Sequence, residues 1–347
     1  MTVSTQLKTT NPAPIADDEQ SAQHDVVART YPVRITPHVQ DLIDKYGPDS
    51  AVGRQYVADT RELSITPDEN ADPTGDHPHT PVPGIVHRHP DRVLLKPLHA
   101  CAVYCRFCFR RDMVGPGKDV LDEDALDKAI AYIQNDLNIW EVILTGGDPL
   151  VLSPRRLSAM LDSIEKIEHV QVIRIHSRVP VADPERVTDE LSKSLDRSKP
   201  LYVIVHINHA DEITPAVVTA WEKLRRANCT LLSQSVLLRG VNDDVDVLEN
   251  LFRRLTALRV KPYYLHHPDR APGTAHFRLP FSTGQRLMNE LRGRLSGLCL
   301  PTYVLDIPGG AGKVPVGPSY MKTDEDGQIH ICDTEGVWYA YPSVDGQ

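Results

Sequence analysis

The feature that most constrains this chain is a regular alternation, from about Val93 onward, of short apolar runs with longer amphipathic ones. RVLLKP, EVILT, VQVIRIHS, LYVIVHINH, TLLSQSVLL, KPYYLHH and PTYVLDI are short and rich in β-branched or aromatic residues, and they read as strands. Between them DEDALDKAIAYIQN, SPRRLSAMLDSIEKI, DPERVTDELSKSL, TPAVVTAWEKLRRA, DVDVLENLFRRLTAL and STGQRLMNELRGRLS carry helical periodicity. Ser153 suits an N-cap, and Pro184 sits near a first turn, where proline is tolerated. Continuous apolar strands separated by helices indicate a parallel sheet with right-handed crossovers. About six β/α units fit, fewer than the eight of a closed barrel. The expected fold is α/β, a curved partial barrel; a flat doubly wound sheet is the alternative.

The first 90 residues lack this alternation. TPHVQDLIDKYG reads as a helix, and DPTGDHPHTPVPGIVHRHPDR as a proline- and histidine-rich wrapping segment. The expected organisation is a disordered lead-in over 1–30, a helical and wrapping region over 31–90, the barrel over 91–322 and a tail over 323–347. A hydrophobic fraction of 41% supports a sizeable core, and a net charge of −9 disfavours nucleic acid as a partner. No apolar run approaches the roughly 18 residues that span a bilayer, so no membrane role is expected. The N-terminus has no apolar signal core and the six cysteines are unevenly spaced, which points to a reducing cytoplasm.

Ligands of such folds gather at the C-terminal ends of the strands. The unusual residues fall there: CAVYCRFCFRR after the first strand, then TGGD, HSR, HINH, SQS, HHPD and DIPGGAGK. Cys101, Cys105 and Cys108 stand at i, i+4 and i+7, whereas Cys229, Cys299 and Cys332 are scattered singly. Thiolates hold iron–sulfur clusters, and three ligands on a four-iron cubane leave one iron open to bind a small molecule. Three structural cysteines, or a zinc site completed by a distant histidine, are the bland alternatives. In PGGAGKVPVGP the lysine is followed by Val314, Pro315 and Pro318, so it is no phosphate-binding P-loop. Lys313 is instead presented on glycines, as a solvated lysine or as an amine for carbonyl chemistry.

The CxxxCxxC spacing resembles the signature of radical S-adenosylmethionine enzymes. DIPGGAGKVPVGPSY, CAVYCRFCFRR, HRHPDRVLL and YYLHHPDRAPGTAHFR resemble segments of the lysine 2,3-aminomutase family, over about residues 80 to 322. The resemblance implies a partial (β/α)6-type radical S-adenosylmethionine barrel with an N-terminal helical region. It implies a [4Fe-4S] cluster on Cys101, Cys105 and Cys108 and pyridoxal 5′-phosphate held covalently by Lys313. S-adenosyl-L-methionine would lie near Gly146, Gly147 and Asp148, with Ser177, Arg178 and His206 touching the same cofactor. Arg92 and Gln234 match positions near the pyridoxal phosphate group, and Arg110 matches the position for the substrate carboxylate. Asp269 and Asp306 match positions that face the substrate's side-chain ammonium.

The implied activity is interconversion of L-lysine and β-lysine through a 5′-deoxyadenosyl radical, fed by a one-electron reductant, in a homo-oligomer. A second possibility is the same chemistry supplying β-lysine for modification of a translation elongation factor. A third, from another class, is a non-catalytic zinc-binding interaction protein. Glutamate as substrate would add a third negative charge beside the two aspartates. Three departures from the family stand out: His89 where many relatives carry tyrosine, Ala311 within a glycine run, and Cys332 alone beyond the lysine. The last predicts no intersubunit zinc.

Overall fold

A computed structural model describes residues 26–115 and 120–342. Twelve strands are present among the described residues. They are β1 (Ile85–His89), β2 (Arg92–Leu98), β3 (Glu141–Gly146), β4 (Val172–Ser177), β5 (Leu201–His206) and β6 (Thr230–Val236). The chain continues with β7 (Lys261–His266), β8 (Thr302–Asp306), β9 (Lys313–Pro315), β10 (Met321–Thr323), β11 (Ile329–Cys332) and β12 (Trp338–Tyr341). Strands β2 to β8 are parallel and lie side by side in chain order, while β1 and β9 flank them antiparallel. A doubly wound sheet would reverse its strand order at a switch point. This sheet never reverses, and it stays open at β1 and β9, which excludes the flat alternative.

The crossovers carry the expected helices: α1 (Pro37–Tyr46) lies outside the barrel, and α2 (Glu123–Asn135), α3 (Pro154–Glu165), α4 (Asp189–Ser194), α5 (Pro215–Arg226), α6 (Val245–Ala257) and α7 (Phe281–Arg294) follow in turn. Ser153 caps α3 by accepting from Arg156 N at 3.3 Å, as its position suggested. The segment read as one helix from Asp183 is broken: Pro184–Arg186 is a separate turn, and α4 begins after the Thr188 cap. Leu157, Leu161 and Ile164 of α3 and Val217, Trp221 and Leu224 of α5 pack on the outer sheet face with Val142, Leu144, Ile173, Val203 and Val205. Burying one such side chain contributes roughly 1.5–3 kcal/mol. This core fixes the strands, so the loops at their C-terminal ends are held on a rigid frame.

Most of the expected lead-in, residues 1–25, lies outside the described residues. Its last part does not follow the expectation: 26–30 are helical, with Val27 buried. The wrapping region ends inside the sheet, since β1 and β2 form a hairpin across the expected boundary at 91. Helix α1 buries Val39, Leu42 and Ile43 in a cluster with Tyr56, Val103 of the cysteine loop and Ala182. Beyond Lys313 the chain forms a separate three-stranded antiparallel sheet, β10 to β12, reaching into the tail. No helix among the described residues is long and apolar enough to cross a membrane.

Candidate active site

The open barrel encloses a cavity of about 560 Å³ that runs from the cysteine loop to Lys313. Every residue singled out in the sequence lines it: Cys101, Cys105, Cys108, Arg92, Arg110, Gly146, Gly147, Asp148, Ser177, Arg178, His206, Gln234, Asp269, Asp306 and Lys313. Alternation along the strands explains this. Arg92, Arg174, His176, His206, Gln234 and His266 all turn into the lumen from β2, β4, β5, β6 and β7.

The cysteine loop follows β2 and is clasped from two sides. Gly147 N donates to Leu98 O and Asp148 N to Ala100 O, both at 2.8 Å. A Cβ on Gly147 would meet Ala100 O at 2.1 Å, so glycine is required for this approach. TGGD therefore packs first against protein backbone. The Asp148 carboxylate takes Ser177 Oγ at 2.7 Å, Arg178 N at 2.7 Å, and Leu150 N and Val179 N at 3.1 Å. Four donors saturate its lone pairs, which leaves it a clasp between β3 and β4. Arg178 is anchored through Nε on Tyr56 and through Nη2 on Gln55 and Glu212 of the surrounding shell. Asp148, Ser177 and Arg178 thus have protein partners while also lining the cavity, because burial demands that their polar atoms be satisfied.

From the other side the N-terminal region supplies carboxylates to the loop's arginines. Buried Glu62 accepts from Arg106 Nε at 2.8 Å and pairs also with Arg111. Fully buried Asp76 pairs with Arg110 at 3.1 Å, Lys96 at 3.5 Å and Arg88 at 3.8 Å. Against burial, those cations hold the Asp76 carboxyl below its ordinary range. One anion among three cations leaves the cluster positive. Arg110 also donates to Thr145 Oγ1 at 3.2 Å and keeps further N–H groups, so a carboxylate arriving in the cavity finds a positioned guanidinium.

Burial pushes the Cys101 thiol well up, that of Cys105 up to about 11, and that of Cys108 up as well, with neighbouring thiols adding to it at Cys101 and Cys105. These are thiols that ionise only when metal charge replaces the proton. Among the described residues no three His, Cys, Asp or Glu side chains converge on a single metal ion. Three thiols lining one cavity without meeting at one ion fit ligands of a multi-iron cluster, each on its own iron. Orphaned atoms in the same cavity fit a further ligand: the Nε2 atoms of His176, His206 and His266 are buried without partners. Burial drives His176 well down and His206 to about 3, so these rings are neutral donors or acceptors.

At the other end Lys313 and Asp306 face each other in the β8–β9 register and form an ion pair. Lys313 Nζ and His266 Nδ1 lie 3.2 Å apart, and that nitrogen lies 3.5 Å from Asp306. Burial lowers the Lys313 ammonium's pKa, which favours the free amine that carbonyl chemistry uses. Against burial, hydrogen bonding from His266 and the Lys313 charge keep Asp306 ionised. Burial and the Asp306 charge push Asp269 up to about 7. Lys313 Nζ also stands 5.5 Å from the Tyr264 ring centroid, so an apolar wall accompanies the amine.

A model of the lysine 2,3-aminomutase family matches residues 288–346, and one of the radical SAM superfamily matches residues 95–251. The L-lysine 2,3-aminomutase of Clostridium subterminale is 39% identical over 94% of this chain and 79% of its own length. That of Bacillus subtilis is 36% identical over 94% of this chain and 69% of its own. The chain belongs to the lysine 2,3-aminomutase family. A glutamate 2,3-aminomutase of Clostridioides difficile is 36% identical over 77% of this chain and 64% of its own length, so overall likeness does not separate the two substrates. The family's three groups, cluster, S-adenosylmethionine and pyridoxal phosphate, find fitting residues in the one cavity. Sequence reading missed Asp76, His266, His176, Arg174 and Glu62. His266 and His176 lay within the quoted HHPD and HSR. Asp76 and Glu62 carried no local signal, since their partners stand 34 and 44 residues away.

Proposed function

We propose that this protein is an L-lysine 2,3-aminomutase, interconverting L-lysine and β-lysine. The observation that carries the reading is one cavity with three thiols at one end and a half-buried lysine paired with a carboxylate at the other. Cys101, Cys105 and Cys108 would hold the cluster, with S-adenosylmethionine beside it, and Lys313 would hold pyridoxal phosphate. Bound together, these groups supply a 5′-deoxyadenosyl radical and a carrier on which nitrogen can migrate between adjacent carbons.

The chain's own residues orient the substrate and manage protons. Arg110, held by Asp76 and Thr145, takes the carboxylate. Lys313 must lose a proton to solvent before its amine can attack a carbonyl, and its burial, which lowers the ammonium's pKa, favours that loss. Once that amine is committed, Asp306 loses its counter-charge, and a substrate ammonium restores it. Asp269, beside Asp306, gives the same ammonium a second carboxylate. A substrate carboxylate in that place would meet like charges in a partly desolvated pocket, which costs several kcal/mol. That favours lysine over glutamate. The test is to incubate anaerobically reconstituted protein with each amino acid and analyse products. β-Lysine from lysine, with no β-glutamate from glutamate, is expected; the reverse pattern removes the proposal.

A further inference from the structure

The deep end of the cavity, beyond Tyr264, holds an arginine that neither the family resemblance nor the reading above puts to use. Arg174 turns inward from β4 and lines the cavity with its side chain largely buried. Its Nη2 donates to Glu141 Oε2 at 2.8 Å, but its Nε is buried without any partner. A buried donor left unmet is costly, and such atoms mark places where a ligand completes the bonding. Arg92 enters the same space from β2, paired with Asp91 at 2.7 Å and about a third exposed. Both guanidinium groups lie within electrostatic reach of the Tyr264 hydroxyl.

A bulge explains the local shape. Ser233 pairs with Pro262, but Gln234 pairs with Tyr264, so one residue of β7 is skipped. Tyr263 and Tyr264 then both face the lumen, their rings 3.8 Å apart and their hydroxyls hydrogen-bonded at 2.9 Å. Lys313 Nζ lies 5.5 Å from the Tyr264 ring centroid, and the two arginines act electrostatically on the same residue's hydroxyl. Pyridoxal phosphate held by Lys313 would bring a phosphate into the same cavity that these tyrosines and arginines line. A phosphate dianion in a largely enclosed cavity needs more than one cation, and each of these is already shared with a carboxylate.

We propose that Arg174 is a second phosphate-binding cation of the pyridoxal site, acting with Arg92, and that Glu141 orients it while limiting its charge. The proposal rests on Lys313 binding pyridoxal phosphate. The experiment titrates full-length protein with pyridoxal 5′-phosphate and, separately, with pyridoxal, which lacks the phosphate, following absorbance. In Arg174→Gln the affinity for pyridoxal 5′-phosphate should fall about tenfold or more, the effect of one charge-assisted contact, while pyridoxal binds as before. In Glu141→Gln, which breaks the same ion pair but keeps the arginine, pyridoxal 5′-phosphate should bind at least as tightly as in the unaltered protein. A purely structural ion pair predicts equal losses in both variants and for both ligands, and that result overturns the assignment. So does unchanged affinity for pyridoxal 5′-phosphate in Arg174→Gln. Should that variant not fold, the double variant Arg174→Gln, Glu141→Gln removes both charges together and must show the same phosphate-specific loss. If the unaltered protein binds neither compound, it is the reading of Lys313 that fails.

Discussion

Asp269 gives the sharpest test of substrate recognition, because its ionisation and its role are tied. Burial and the neighbouring Asp306 charge push its carboxyl up to about 7. A substrate ammonium bound there favours the ionised form, so binding must release the proton wherever Asp269 is still protonated. A group of pKa 7 is about 9% ionised at pH 6 and about 91% at pH 8, so lysine affinity should rise roughly tenfold over that interval. The sign is fixed: affinity increases with pH, up to the point where lysine's own amines deprotonate.

Asp269→Asn removes both the charge and the proton. Losing one charge-assisted hydrogen bond, about 1.5–3 kcal/mol, should weaken lysine about tenfold to over a hundredfold at pH 8. At pH 6 the loss should be far smaller, because the unaltered residue is mostly neutral there. The assay is the KM for lysine from pH 6 to 8, with iron content and the absorbance of bound pyridoxal phosphate as controls. A variant that keeps both normal affinity and the normal pH slope would show that Asp269 does not face the ammonium.

Two further outcomes follow from the cysteine loop. Cys105→Ser should lose most of the iron taken up on anaerobic reconstitution and all S-adenosylmethionine cleavage, while Cys229→Ser, whose thiol is buried between Leu195 O and Ala227 O, should keep both. Iron analysis decides, and full iron in Cys105→Ser sinks the ligand assignment. Gly147→Ala should also lower iron uptake, since its Cβ meets Ala100 O at 2.1 Å and the loop backbone must give way. Overpacking of this kind costs typically 1–3 kcal/mol, so circular dichroism should still show a folded barrel; normal iron loading would mean the clasp is not needed.

How much of this was legible in the sequence depends on the range of the interaction. The six crossovers were readable because strand and helix periods are local, and so was the rim, since it lies wherever a strand ends. Lys313 and the three thiols stood out because glycine and cysteine spacing are local too. The roles of Asp148 and Arg178 were not readable in the same way. Both sit in motifs that point toward a ligand, and both also tie segments together, Asp148 through Ser177 and Arg178 through Glu212, Gln55 and Tyr56, contacts that close only when separate segments fold together.

The arginines of the cysteine loop make the same point in the opposite direction. In sequence, Arg106, Arg110 and Arg111 look like one block of charge beside three cysteines. In the fold they divide: Arg106 and Arg111 are tied down by Glu62, and Arg110 by Asp76 together with two other cations. Of the three, Arg110 alone lines the cavity, so it is the one placed to meet an anion there. The N-terminal region, without a motif of its own, therefore sets the carboxylate partner of each arginine. Its two buried carboxylates divide a uniform basic stretch, Glu62 holding two arginines away from the cavity and Asp76 holding the third on its wall.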